Sequence, residues 1–241
     1  MTWLPPLPRA AVLALFPVLL AQGVRVRRTT PRLPEAEGAD GAVGVGGEPL
    51  RLVVLGDSVA AGVGLADHGA SLAGRLAERL SGRSGRSVTW RVLARSGSTA
   101  ADVPALVDPG VLAEADVVLL SVGVNDTISL HSDRRWRHEL GVLLDVVLDA
   151  APRADVLLLG IPPMEVFPAL PSPLAQVFGA RARRLDRVGA RVVADRPRVR
   201  RLELDLPDAA GAFAEDGFHP SAVVHAHLAE TAARLLEARP C

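Results

Sequence analysis

The sequence predicts a three-layer α/β/α sandwich around a central parallel sheet of about five strands. Two observations carry this. Short apolar runs rich in Val and Leu alternate with longer stretches of helical periodicity, which is the pattern of right-handed βαβ units. The first run, residues 52–55, is also apolar throughout rather than at every second residue, as a strand covered on both faces is.

The expected strands are residues 51–55, 88–94, 116–122, 155–159 and 199–204. Helical patterns fill the gaps. Residues 71–81 place Leu72, Leu76 and Leu80 four apart; residues 134–150 carry Leu140, Leu143, Leu144, Val147 and Leu148. Residues 174–194 are Arg-rich on one side, and residues 221–238 carry Val224, Leu228, Leu235 and Leu236. Neither an internal repeat nor a second domain boundary is visible, so residues 50–241 read as one domain.

Two segments precede it. Residues 1–28 read as an apolar leader or membrane anchor in preference to a core helix, because residues 10–21 are unbroken apolar sequence. That run is short for a bilayer span of roughly 20 residues but fits a signal-peptide core, with Ala21-Gln22-Gly23 a weak small-x-small cleavage site. Against export, Arg25, Arg27, Arg28 and Arg32 follow the run, and positive residues on that side oppose translocation. Membrane association or export is expected, with the side of the membrane open. Residues 29–49, rich in Pro, Gly, Glu and Ala without periodicity, read as a flexible linker.

Composition narrows the function. Acidic and basic residues balance at 27 each, and every basic one is Arg. With no basic excess, a nucleic-acid partner is not expected. The absence of Lys and Tyr suggests a GC-rich bacterial genome. The single cysteine, Cys241, excludes an internal disulfide and a thiolate cluster. The six histidines are scattered, and His225 and His227 fall on different faces of a helix. No metal or other cofactor is therefore expected.

Four short stretches fall at or just after strand ends: Gly56-Asp57-Ser58, the loop 95–99 with Gly97, Gly123-Val124-Asn125-Asp126, and Asp216-Gly217-Phe218-His219-Pro220. In a parallel sheet these ends converge on one edge, where ligands bind. Ser58 could be a nucleophile there, or merely the cap of the next helix.

Taken together, these stretches resemble the SGNH hydrolase superfamily, the GDSL-type esterases and lipases. The likeness covers residues 50–239. Its four marks fall in family order on Ser58, Gly97, Asn125 and His219. Gly-Asp-Ser is followed here by Val59 where the family pattern has Leu, and Ala60 two residues after Ser58 makes an α/β-hydrolase elbow a poorer match. The resemblance implies a flavodoxin-like sheet and a serine hydrolase of ester bonds.

The chemistry agrees. Ser58 needs a base, for which His219 is the candidate. Asp216, three residues earlier, can orient the ring, although a buried histidine donating to an acid would look the same. Gly97 offers a backbone N–H and Asn125 a side-chain amide to a developing oxyanion; Asn125 alone could be a turn residue. Asp57 and Asp126 read as loop ties, Thr99 as a helix cap, and Trp136 as packing in a helix interface.

The substrate is less legible. The loop 161–178 is apolar and proline-rich, and it either lines an acyl pocket or packs on itself. A lipid or small acyl ester, a thioester, a lysophospholipid and an acetylated sugar are all compatible with the site. A non-catalytic ligand-binding module is the competing class. A nucleotide-binding domain is disfavoured, because no Gly-Lys-Ser/Thr follows the first strand.

Overall fold

The structure is a computed structural model that describes residues 15–204 and 211–237. A six-stranded sheet forms its centre: β1 (Asp40–Val43), β2 (Leu50–Gly56), β3 (Val88–Ala94), β4 (Val117–Ser121), β5 (Asp155–Leu159) and β6 (Val199–Leu202). The order is β1-β3-β2-β4-β5-β6. All pairs are parallel except β1 with β3. The five parallel strands thus run 2-1-3-4-5, the doubly wound order whose switch point lies between β2 and β4.

The helices are α1 (Phe16–Thr29), α2 (Leu72–Ser84), α3 (Pro109–Ala113), α4 (Val124–Ile128), α5 (Asp133–Ala150), α6 (Leu174–Ala194) and α7 (Ala222–Glu237). They cover both faces of the sheet. Alternation along each strand divides its residues between two cores. Val53, Leu55, Val118, Leu120, Val156 and Leu158 join the α5–α6 side, whereas Leu52, Val54, Val117, Leu119, Leu157 and Leu159 join the α2–α7 side. Burial on both faces explains why these strands read as continuous apolar runs. Trp136 is buried, and its Nε1 donates to the Leu185 carbonyl at 2.9 Å, the α5–α6 interface role expected for it.

Three features depart from the sequence reading. The expected linker, residues 29–49, contains β1, paired in register Asp40 with Arg91 to Val43 with Val88. Its neighbours also dock: Ala36 N donates to Ala61 O, Gly64 N to Pro34 O, and Ser96 N to Glu35 Oε1. The sheet therefore gains a sixth strand and begins before Leu50. Thr99 caps no helix; its N–H and hydroxyl both donate to Asp102 Oδ2, at 2.9 and 2.6 Å. The apolar run 10–21 falls partly outside the described residues. Its remainder opens α1, in which Leu19 and Val26 pack against the main core. Gln22 grips the start of α6, donating to Ser172 O and accepting from Leu174 N. No helix among the described residues is long and apolar enough to cross a membrane.

Candidate active site

The loops that follow β2 and β4 flank the switch point. At Gly56 the chain leaves β2 with φ +143°, and a Cβ there would stand 2.0 Å from Ser121 O. Glycine is thus required by both conformation and space. Asp57, 1 % exposed, accepts from Ser121 Oγ at 2.7 Å and from Val59 N at 3.1 Å. These bonds tie the loop to β4, as expected, and aim the next residue, Ser58, into the cleft. Burial pushes the Asp57 carboxyl up to about 7, the two hydrogen bonds opposing it and the Asp126 charge adding to it.

No helix starts at Ser58. The next one, α2, is capped by Ser71, whose Oγ accepts from Ala73 N at 3.2 Å. The capping role weighed for Ser58 is therefore filled elsewhere. Ser58 and His219 line one cleft together with Pro162, Phe167, Phe213 and Phe218. Among the described residues Ser58 Oγ makes no hydrogen bond, with His219 or with any other group.

The turn 216–219 folds on a single carboxyl. Asp216 Oδ1 accepts from Phe218 N at 2.9 Å and His219 N at 3.0 Å, while Oδ2 lies 2.6 Å from His219 Nδ1. Burial works against the Asp216 charge, but these hydrogen bonds and the His219 ring outweigh it and hold the carboxyl below its ordinary range. With Nδ1 engaged, the ring's free nitrogen is Nε2. An aromatic cluster walls this turn: Phe167 stands edge-on to Phe213 and Phe218, each with centroids 5.2 Å away.

Gly97, on the loop after β3, and Asn125, on α4 beside the cleft residue Val124, are not themselves among the residues lining the cleft, but their segments are joined to each other. Asn125 Nδ2 donates to Ser98 O at 2.9 Å, which leaves its second N–H for another acceptor. Gly97 has φ +85°, which explains glycine there. The loop 161–178 divides between the cleft and the core. Pro162 and Phe167 line the cleft, whereas Met164, Leu170 and Leu174 are buried in the core.

Two buried polar groupings escaped the sequence reading. His225, wholly buried, accepts from Leu72 N through Nδ1 at 3.0 Å, and burial pushes it down to about 4. The expectation that no cluster of metal-ligand type could be assembled is also corrected. Asp126, His131 and Glu139 bring their ligand atoms within 4.8 Å of one another. They are spaced by 5 and 8 residues across the turn between α4 and α5, which matches no local motif. Asp126 is nonetheless the loop tie expected of it, accepting from Ala100 N at 3.2 Å.

Comparison with known proteins agrees with this architecture. The model of the GDSL-like lipase/acylhydrolase family matches residues 54–227. Among solved structures, TesA is 24 % identical over 78 % of this chain and 98 % of its own, with a TM-score of 0.60. The carbohydrate acetylesterase Est24 from Sinorhizobium meliloti is 20 % identical over 78 % and 99 %, with a TM-score of 0.59. A lipase/acylhydrolase from Enterococcus faecalis is 22 % identical over 78 % and 95 %, also at 0.59. At these identities the likeness is one of fold. A search of curated proteins finds no match.

Proposed function

The chain belongs to the GDSL-like lipase/acylhydrolase family and is a hydrolase of ester bonds, and we propose that it works through an acyl-enzyme on Ser58. Ser58 Oγ attacks the ester carbonyl carbon and its proton passes to His219 Nε2. The tetrahedral intermediate collapses, and the alcohol leaves with that proton. Water then enters by the same route and releases the acid. Asp216 holds the ring with Nε2 toward the cleft. Gly97 N–H and the free N–H of Asn125 receive the oxyanion.

The observation that carries this reading is that Ser58 and His219 share one cleft while Asp216 Oδ2 grips His219 Nδ1 at 2.6 Å. The missing Ser58–His219 hydrogen bond is compatible, since such bonds commonly tighten only with substrate present. The cleft wall of Val122, Val124, Leu159 and Phe167 favours an acyl chain over a sugar. A series of p-nitrophenyl esters of rising chain length, with Ser58→Ala beside the wild type, tests this. Turnover should peak beyond acetate and fall about 10³-fold or more in Ser58→Ala. A peak at acetate would turn the reading toward an acetylesterase, and full turnover by Ser58→Ala would overturn it.

Membrane contact through residues 10–24 belongs to the same reading. On α1, Phe16, Leu20 and Val24 are exposed and four apart, and Arg25, Arg27 and Arg28 follow. An apolar stripe with adjacent cations suits an anionic lipid surface. Co-sedimentation with phosphatidylglycerol vesicles should be lost in Phe16→Glu/Leu20→Glu; equal sedimentation of both proteins would refute it.

A further inference from the structure

The two loops assigned to the oxyanion are held from behind by a buried network. Asp126 is fully buried and follows Asn125 directly. Its carboxyl accepts from Ala100 N, at 3.2 Å to Oδ1 and 3.3 Å to Oδ2. Ala100 lies three residues after Gly97. The loop's other end is tied to the neighbouring side chain, through Asn125 Nδ2 and Ser98 O. Asp126 and Asn125 therefore clamp residues 98 and 100 from one short helix.

The clamp is braced in turn. His131, 3 % exposed, places Nδ1 3.1 Å from Asp126 Oδ1 and 2.8 Å from Glu139 Oε2, close charge contacts that do not have hydrogen-bond geometry. Its backbone N–H donates to Asp126 O at 3.0 Å. Arg135 Nε holds the other oxygen of Glu139 at 2.7 Å. From α6, Arg181 donates to Thr127 O and to His131 O. These contacts fix the short helix that carries Asn125.

We propose that Asp126 is a positioning residue for the oxyanion site, acting through Ala100 N–H on the Gly97 loop and along α4 on Asn125, with His131 and Glu139 as its brace. This rests on the oxyanion assignment made above. Oxyanion donors stabilise the transition state and not the ground state, so small displacements cost kcat far more than KM. An ordinary core residue would lower folding stability and leave that ratio alone.

A double-mutant cycle of Asp126→Ala and Asn125→Ala on one p-nitrophenyl ester tests it. Asp126→Ala should lower kcat about 10- to 100-fold at nearly constant KM. In the Asn125→Ala background it should cost less than that, because only the Gly97 loop is then left for it to position. Asp126→Asn, which keeps an oxygen for Ala100 N–H, should recover part of kcat and serves as the second variant if Asp126→Ala does not fold. Equal losses in both backgrounds, or a loss confined to KM, would overturn the proposal. An Asn125→Ala enzyme with wild-type kcat would overturn the oxyanion assignment itself and the positioning role with it. Treatment with EDTA should leave wild-type kcat unchanged; loss of kcat restored by zinc would overturn the proposal by making the three side chains a metal site.

Discussion

Asp216 divides its two oxygens between the backbone and the ring of one turn: Oδ1 takes the N–H groups of Phe218 and His219, and Oδ2 takes His219 Nδ1 at 2.6 Å. The two jobs are separable by substitution. Asp216→Asn keeps an oxygen for both backbone donors but loses the charge facing the ring. It should fold normally and lose kcat, less severely than His219→Ala, for which about 10³-fold or more is expected. Asp216→Ala should in addition lower stability, because two half-buried N–H groups lose their acceptor at about 0.5–1.5 kcal/mol each. Steady-state kinetics and chemical denaturation of the three variants check this. Equal melting of the Asn and Ala variants would show that the turn does not depend on the carboxyl oxygen.

Gly56 is the position at which strand becomes site. An alanine there would need a φ of +143° and would put Cβ 2.0 Å from Ser121 O. The strain and the clash should together cost several kcal/mol, on the order of 2–4. Activity should fall with it, because Asp57 and Ser58 follow directly. A Gly56→Ala protein with wild-type unfolding midpoint and kcat would disprove this account of the turn.

Phe167 joins the apolar loop to the segment 213–218 through its edge contacts with Phe213 and Phe218. Phe167→Ala should cost about 3–5 kcal/mol, the range for emptying a buried aromatic site. Phe167→Leu should keep the fold. It should reduce kcat/KM for longer acyl esters more than for acetate, since Phe167 lines the cleft. A uniform effect across chain lengths would restrict Phe167 to structural support.

The legible parts of this chain were those with local physical signatures. The bounds of β3, β5 and α6 coincide with the sequence expectation: near-continuous burial marks β5 and amphipathicity marks α6, while β3, mostly half-buried, is marked by its β-branched and aromatic residues. Strand β1 carries no such mark. Asp-Gly-Ala-Val is short, half exposed and flanked by Gly44, Gly46 and Gly47; pairing with β3 holds it, a tertiary cause. Three of the site motifs were visible because each follows a strand directly, and the fourth, residues 216–219, because it precedes the last helix. The groups behind them were not. Asp126, His131 and Glu139 meet only after α4 turns into α5, and Glu35 reaches Ser96 N from a segment that reads as linker. In the sequence His225 reads only against His227, two residues on, whereas the fold uses its Nδ1 to accept from Leu72 N, the first residue of α2.

Asp57 and His225 give stability opposite slopes against pH, so wild type conceals both. Burial raises Asp57 from 3.8 to about 7. Between those values the folded chain holds a proton that the unfolded chain has lost, so this group's contribution decays as pH rises through the window. Burial lowers His225 from 6.5 to about 4. In that interval the unfolded chain binds the extra proton, so this contribution decays as pH falls. Each slope can reach about 1.4 kcal/mol per pH unit, and across pH 4–6.5 they offset one another. Single variants expose them. Asp57→Asn retains an oxygen for Ser121 Oγ and Val59 N and removes the first slope, so its stability should fall toward acid more steeply than wild type. His225→Asn retains an acceptor for Leu72 N and removes the second. It should start lower, for the volume lost, and decline toward neutral pH. Urea unfolding at pH 4.5, 5.5 and 6.5 measures both. Curves parallel to wild type for either variant would show that its side chain keeps an ordinary titration in the fold.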